Sequence, residues 1–130
     1  MTGLDTDFFI KFLENNQEAV RVWKGIMEGE EAAVSCLTLY ELKRLSLKGK
    51  INEKALVIIL TAVSSLCRIV WLNEQDILLM GANLSHGLGI PSIDALILAG
   101  LLKSGAKIIY TTDSHIQAYQ KKDVTVVRLP

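Results

Sequence analysis

"GIPSIDALILAGLLKSGAKIIYTTD" fills residues 89 to 113, and its reading decides the fold. Pro91 and Ser92 introduce an apolar helix expected over 93–103, and Gly105 ends it. "KIIYT" (107 to 111) follows at once and reads as a strand, because Ile108 and Ile109 give it a β-branched core. The same alternation extends in both directions. Strands are expected at 1–4, 32–36, 68–72 and 124–129. Between them, "TDFFIKFLEN" places Phe8, Phe9, Phe12 and Leu13 on one helical face, and further helices are expected near 16–28, 38–50, 52–66, 74–87 and 114–121. Asn73 is placed to cap the helix at 74–87. Short β-branched strands separated by helices predict an α/β sandwich, a mainly parallel twisted sheet of about five strands flanked by helices.

With 130 residues, half of them hydrophobic, the chain is expected to form a single domain over 1–130 around one substantial core. No linker, repeat or low-complexity tract divides it. The 14 basic and 14 acidic side chains cancel, so net charge does not mark a nucleic-acid or membrane-surface binder. "ALVIILTAVSSLC" (55 to 67) is too short and too interrupted by Thr61, Ser64 and Ser65 to span a bilayer. Asp5 and Asp7 stand where a signal peptide would be basic, so a cytoplasmic location is expected. Cys36 and Cys67 lack metal or redox spacing and read as buried small hydrophobes. The helix at 52–66 has little polar face and is expected inside the core or against a partner.

Ligands of such sheets bind beyond the carboxyl ends of the strands. Four acids are expected at that edge: Asp5 after the first strand, Asp113 after the fourth, Asp94 opening the helix before it, and Glu41 in the helix after the second. Capping offers a simpler reason for each, since acids at helix starts contribute about 0.3–2 kcal/mol. "TLYE" (38 to 41) fits a capping box with Thr38 as cap and Glu41 as its third-position acid, and Ser92 could cap the helix of Asp94. Asp94 resists that reading. Three, four and seven residues beyond it stand Ile97, Leu98 and Leu101, a face that should be packed, so its carboxylate heads toward the interior's edge. Converging carboxylates repel by about 4 kcal/mol per pair at roughly 4 Å and an effective dielectric of about 20. A divalent cation removes that cost, and oxygen ligands without a His or Cys cluster suit magnesium or manganese.

"LDTDFF" (4 to 9), "SCLTLYELKRL" (35 to 45), "SIDALILAGLL" (92 to 102) and "IYTTD" (109 to 113), in this order over nearly the whole chain, resemble the PIN-domain nucleases, in particular the toxin ribonucleases of VapBC-type toxin–antitoxin pairs. The resemblance implies a catalytic and metal-holding quartet of Asp5, Glu41, Asp94 and Asp113, with Thr6 and Thr111 in support. It also implies Mg2+ or Mn2+ as cofactor, hydrolysis of RNA, a cognate antitoxin and a homodimer. Many relatives carry one more acid where His115 stands here. Lys43, Arg44, Lys48 and Lys50 concentrate positive charge beside Glu41, with Lys103, Lys107, Lys121 and Lys122 elsewhere; Lys43, Arg44 and Lys48 are the candidates for phosphate contact. The alternative for Arg44 is an ion pair with Glu41, three residues back.

Three other readings compete. A phospho-receiver domain needs an aspartate after its central strand, and "RIVWLN" (68 to 73) supplies none. A haloacid-dehalogenase-like phosphatase would use "DTD" (5 to 7) but has threonine or valine where Phe9 stands. A PIN-like module that binds RNA or protein without cleaving would keep the fold and lose the acids, and all four acids are present. His86, read as lying in a Gly-flanked loop at the end of the 74–87 helix, is expected to be structural.

Overall fold

Small and β-branched residues at positions 2–4, 32–35, 68–70, 108–111 and 125–128 form five strands: β1 (Thr2–Leu4), β2 (Ala32–Ser35), β3 (Arg68–Val70), β4 (Ile108–Thr111) and β5 (Thr125–Arg128). In the computed structural model, which describes residues 1–121 and 123–130, they make one sheet in the order β3-β2-β1-β4-β5. Every neighbouring pair is parallel, so the expected "mainly parallel" sheet is wholly parallel among the described residues. The helices are α1 (Thr6–Leu13), α2 (Gln17–Met27), α3 (Cys36–Leu47), α4 (Glu53–Leu66), α5 (Gln75–Leu88), α6 (Ser92–Lys103) and α7 (Ser114–Gln117).

Side chains alternate across a strand, and the core divides accordingly. Leu4, Val34 and Tyr110 face a layer built from α1 to α4, with Phe8, Phe9, Trp23, Leu42 and Val63 at its centre. Ala33, Ile109 and Val70 face the other layer, where Ile97, Leu98 and Leu101 of α6 are packed with Ile77 of α5 and Ile116 of α7. The result is a three-layer sandwich. Gly3 lets α6 close on β1: a Cβ there would lie 3.2 Å from both Ala106 Cβ and Leu101 Cδ1. Ala95 and the run from Ile97 to Leu101 are all buried, so α6 is the most enclosed helix and holds Asp94 on a rigid support.

Two local expectations fail for identifiable reasons, and a third, that α4 is enclosed, holds in the core for one stripe of the helix only. Helix α5 begins at Gln75 with Glu74 at its cap position and no side-chain cap bond, so Asn73 lies one residue too early to cap it. Position 86 lies in the last turn of α5 and not in a loop. Helix α4 buries only Leu56, Ile59 and Val63, leaving Val57 and Ile58 in solvent at 57% and 69% exposure, because only one stripe of a surface helix can meet the sheet layer. Cys67 is buried and its thiol is pushed up to about 11 by that burial, whereas Cys36 is half-buried. The two faces of α4 should therefore separate in denaturant titrations. Ile59→Ala is expected to cost about 2–4 kcal/mol, while Ile58→Lys stays within about 0.5 kcal/mol of the parent; equal losses would contradict the described packing.

Candidate functional site

A helix that crosses between parallel strands runs against them, so the N-termini of α1, α3, α6 and α7 all lie at the carboxyl edge of the sheet. The strand order places the switch in connection between β1 and its two neighbours, β2 and β4. Asp5 leaves β1 and Asp113 follows β4 at this crevice.

Asp5 caps α1, its Oδ1 accepting the Phe8 N–H at 3.0 Å. It is also 3% exposed, an unusual state for a carboxylate. Burial raises its pKa from the ordinary 3.8 to about 7; the charges of Asp7 and Asp94 add to the rise, while hydrogen bonds from Thr111 and the Phe8 N–H oppose it. Thr111, fully buried, also accepts the Asp113 N–H at 2.9 Å, so one hydroxyl links the two acids.

Glu41 is not the acid of a capping box. Strand β2 runs into α3 without a loop, so Ser35 meets the first free N–H groups, accepting from Leu37 N at 3.1 Å, and Thr38 lies inside the helix. Glu41 Oε1 instead accepts from Thr6 Oγ1 at 2.5 Å, and that hydroxyl also lies 3.2 Å from the buried Thr38 Oγ1. The capping explanation for Glu41 falls with this contact. Ser92 fares the same way, because it is the first residue of α6 and no side-chain bond caps that helix.

Asp94, half-buried, is shifted upward by burial first, then by Asp113 within hydrogen-bonding reach, then by the charges of Glu41 and Asp7. Burial also acts to raise Asp113, yet its net shift is downward: the His115 N–H, Asp94 and the His115 ring all donate to it. The two carboxyls titrate as a coupled pair, Asp94 pushed up and Asp113 held down. His115 replaces the extra acid of many relatives, and although exposed it binds Asp113, with Nδ1 2.9 Å from Oδ1.

A cleft of about 210 Å³ opens at this edge, walled by Asp5, Thr6, Asp7, Glu41, Arg44, Lys48 and Asp94. Asp113 stands behind Asp94, off the cleft wall. Of the three basic candidates, Arg44 and Lys48 share the face of Glu41, at three and seven residues along α3, whereas Lys43 is exposed off the cleft wall. No ion pair joins Arg44 to Glu41 among the described residues. Lys103 and Lys107 are paired with Asp76 and Asp123, at 3.5 and 3.4 Å, and Lys122 lies outside the described residues. Asp7 is the residue that sequence reasoning missed. It walls the cleft and its Oδ2 accepts from Thr112 Oγ1 at 2.8 Å. Its signal was an acid two residues past Asp5, which reads locally as ordinary helix-start charge.

Whether these acids fit a divalent cation turns on their chemistry. Among the described residues no three acid, His or Cys side chains are gathered tightly enough to clasp an ion as they stand. The donors are nevertheless all hard oxygens, and no lysine or arginine pairs with Asp5, Glu41, Asp94 or Asp113 among the described residues. Arg44 and Lys48 stand on the cleft wall without pairing with any of the four, and a set of hard oxygens free of a bound side-chain cation fits a hard metal ion.

The parallel sheet and the acidic cleft at its carboxyl edge define an α/β domain with an acid-lined site. The PIN domain family matches residues 4–122, and the chain belongs to that family. Comparison with curated proteins gives no match. Among solved structures, the fold is similar to a chain of VapBC2 from Rickettsia felis bound to a DNA fragment from the promoter, at TM-score 0.75 and 14% identity with 100% of both chains covered. It is also similar to VapBC-1 from nontypeable Haemophilus influenzae, at TM-score 0.68 and 18% identity, covering 98% of this chain and 96% of that one. A toxin–antitoxin complex from Klebsiella pneumoniae aligns at TM-score 0.68 and 19% identity over 88% of each chain.

The raised Asp5 pKa fixes a sign for stability against pH. Without metal, the folded state holds a proton on Asp5 that the unfolded state has released, so the contribution of Asp5 to stability is full below about pH 4 and is lost as pH rises to about 7. Asp5 alone gives a slope of about 1.4 kcal/mol lost per pH unit. Asp5→Asn, which still accepts the cap bond, should flatten that slope in denaturation curves between pH 4.5 and 7 (roughly the window of the shift). An unchanged slope would contradict the burial described for Asp5.

Proposed function

We propose that this chain is a divalent-metal-dependent endoribonuclease, a hydrolase of RNA phosphodiester bonds that serves as the toxin of a toxin–antitoxin pair. The observation that carries the reading is the junction of Asp5, Glu41 and Asp94 in one cleft with Asp113 against Asp94, on a PIN-family chain. Toxin–antitoxin complexes among proteins of similar fold support the biological role.

Asp5, Asp94 and Asp113 would hold Mg2+ or Mn2+, with Glu41 beside them. When bound, such an ion lowers the pKa of a water and offsets the charge that builds on a phosphate oxygen. Glu41 accepts the proton of the attacking water, and Thr6 fixes the carboxylate by bonding one of its oxygens. Thr111 holds Asp5 and the Asp113 backbone in register. Arg44 and Lys48, on the cleft wall and without acidic partners among the described residues, receive the flanking phosphates. Lys43 contributes at most to the wider field. A cognate antitoxin and a second copy of the chain are the partners this reading includes, and Leu47, Val57 and Ile58, exposed on α3 and α4, supply apolar surface that a partner would cover. Among the described residues no helix is long and apolar enough to cross a membrane, which is consistent with a cytoplasmic site of action.

Cleavage of a structured RNA pool is expected with Mg2+ or Mn2+, to stop with EDTA, and to be lost in Asp94→Asn. Equal cleavage by wild type and variant would assign the activity to a contaminant. No cleavage by wild type under any of these conditions would favour the non-cleaving RNA- or protein-binding module. In the same assay Arg44→Ala with Lys48→Ala should weaken RNA binding and reduce the slope of log affinity against log salt by about 1–2, while Lys43→Ala leaves both unchanged. An effect of Lys43 as large as that of the pair would contradict the assignment of faces on α3.

A further inference from the structure

Thr111, Thr112 and Asp113 form the junction between β4 and α7, and each is tied down by a different neighbour. Thr111 is bonded to Asp5, and Asp113 to His115 and Asp94. Between them, Thr112 donates its hydroxyl proton to Asp7 at 2.8 Å, across a sequence separation of 105 residues. Asp7 sits in the first turn of α1, where its charge suits the helix start, and its neighbours in that turn, Thr6 and Phe8, are engaged with Glu41 and the core.

We propose that Asp7 is a positioning residue of the acidic site, fastening the start of α1 to the β4–α7 junction through Thr112 and thereby setting where Asp113 stands relative to Asp94 and Asp5. Three facts converge on it. Asp7 lies on the cleft wall although Asp113 does not, so it reaches from the open side of the site to the junction behind. Thr112 has no other side-chain bond among the described residues. The residues on either side of Thr112 both serve the acids, Asp113 meeting Asp94 and Thr111 bonding Asp5 and the Asp113 N–H. Supporting contacts of this kind, one step removed from metal-holding groups, typically change metal affinity about 10- to 100-fold when cut.

The latch is tested first without metal, by hydrogen exchange at the Asp113 and His115 amides, which donate to Thr111 Oγ1 and Asp113 Oδ1. Asp7→Ala and Thr112→Val should each speed exchange about 3- to 10-fold, as expected for one lost side-chain bond. The double variant should be no faster than either single one, because both remove the same contact. Asp7→Asn and Thr112→Ser, which keep an acceptor and a donor, should stay near wild type. Mn2+ affinity by calorimetry should fall about 10-fold in the same two broken variants and recover in the two conservative ones. RNA cleavage should lose kcat with little change in KM. Unchanged exchange in Asp7→Ala, multiplying effects in the double variant, or an Asp7→Asn as impaired as Asp7→Ala would each overturn the latch. Should Asp7→Ala not fold, the nearly isosteric Thr112→Val carries the comparison. The catalytic consequence rests on the nuclease reading, and the two fail separately. A wild type that neither binds Mn2+ nor cleaves RNA defeats that reading while exchange still decides the latch, and an active wild type whose variants exchange normally defeats the latch alone.

Discussion

Carboxylates held together with no lysine or arginine paired to them among the described residues are the constraint on which the rest of this structure depends. Asp5, Asp94 and Asp113 meet at the carboxyl edge of a parallel sheet with Glu41 and Asp7 close enough to be felt. In the bare protein burial and the neighbouring carboxylates push Asp5 and Asp94 toward their protonated forms, and the His115 ring nitrogen lies 2.9 Å from the Asp113 carboxylate. Such an arrangement adds nothing to fold stability near neutral pH and subtracts from it. It persists because the scaffold over-determines it: α6 is buried from Ile97 to Leu101, the four helix N-termini present partial positive charge, and buried hydroxyls of Thr6 and Thr111 bond Glu41 and Asp5.

The arrangement also explains why the fold is divided as it is. The helix carrying Asp94 is enclosed between the sheet and α5, where Gly81 allows the Leu96 side chain close approach. Asp94 is thus held by a core element, whereas Asp113 sits at a junction between a strand and a helix of 4 residues and needs ties from several sides. Positive charge arrives on one helical face only. Arg44 and Lys48 share the wall of the cleft with Asp5, Asp7, Glu41 and Asp94, so acidic and basic side chains meet in one concavity.

Much of this was legible in the sequence. The β-branched pairs of the strands and the apolar run of 92–102 made a parallel α/β sheet the economical reading, and all five strands fall where they were expected within two residues. Asp5 and Asp113 were singled out by position at strand ends, Glu41 by its place at a helix start, and Asp94 by the apolar face it heads. What failed was local capping. "TLYE" matches a capping box, but the register of α3 depends on β2 ending at Ser35, a tertiary fact with no local signal. Asp7 was missed for the opposite reason, since its local role was sufficient and its partner lies 105 residues away. The separation of Arg44 and Lys48 from Lys43, by contrast, follows from helical periodicity alone and could have been drawn from spacing.

The central claim is that the acids hold a divalent cation. Its most direct test is calorimetric titration of metal-free protein with Mn2+ at neutral pH, for wild type and Asp94→Asn. The account predicts saturable binding to wild type and a loss of at least about tenfold in the variant, the effect of removing one charged ligand. Absence of saturable binding to wild type, or equal affinity in both, would contradict it.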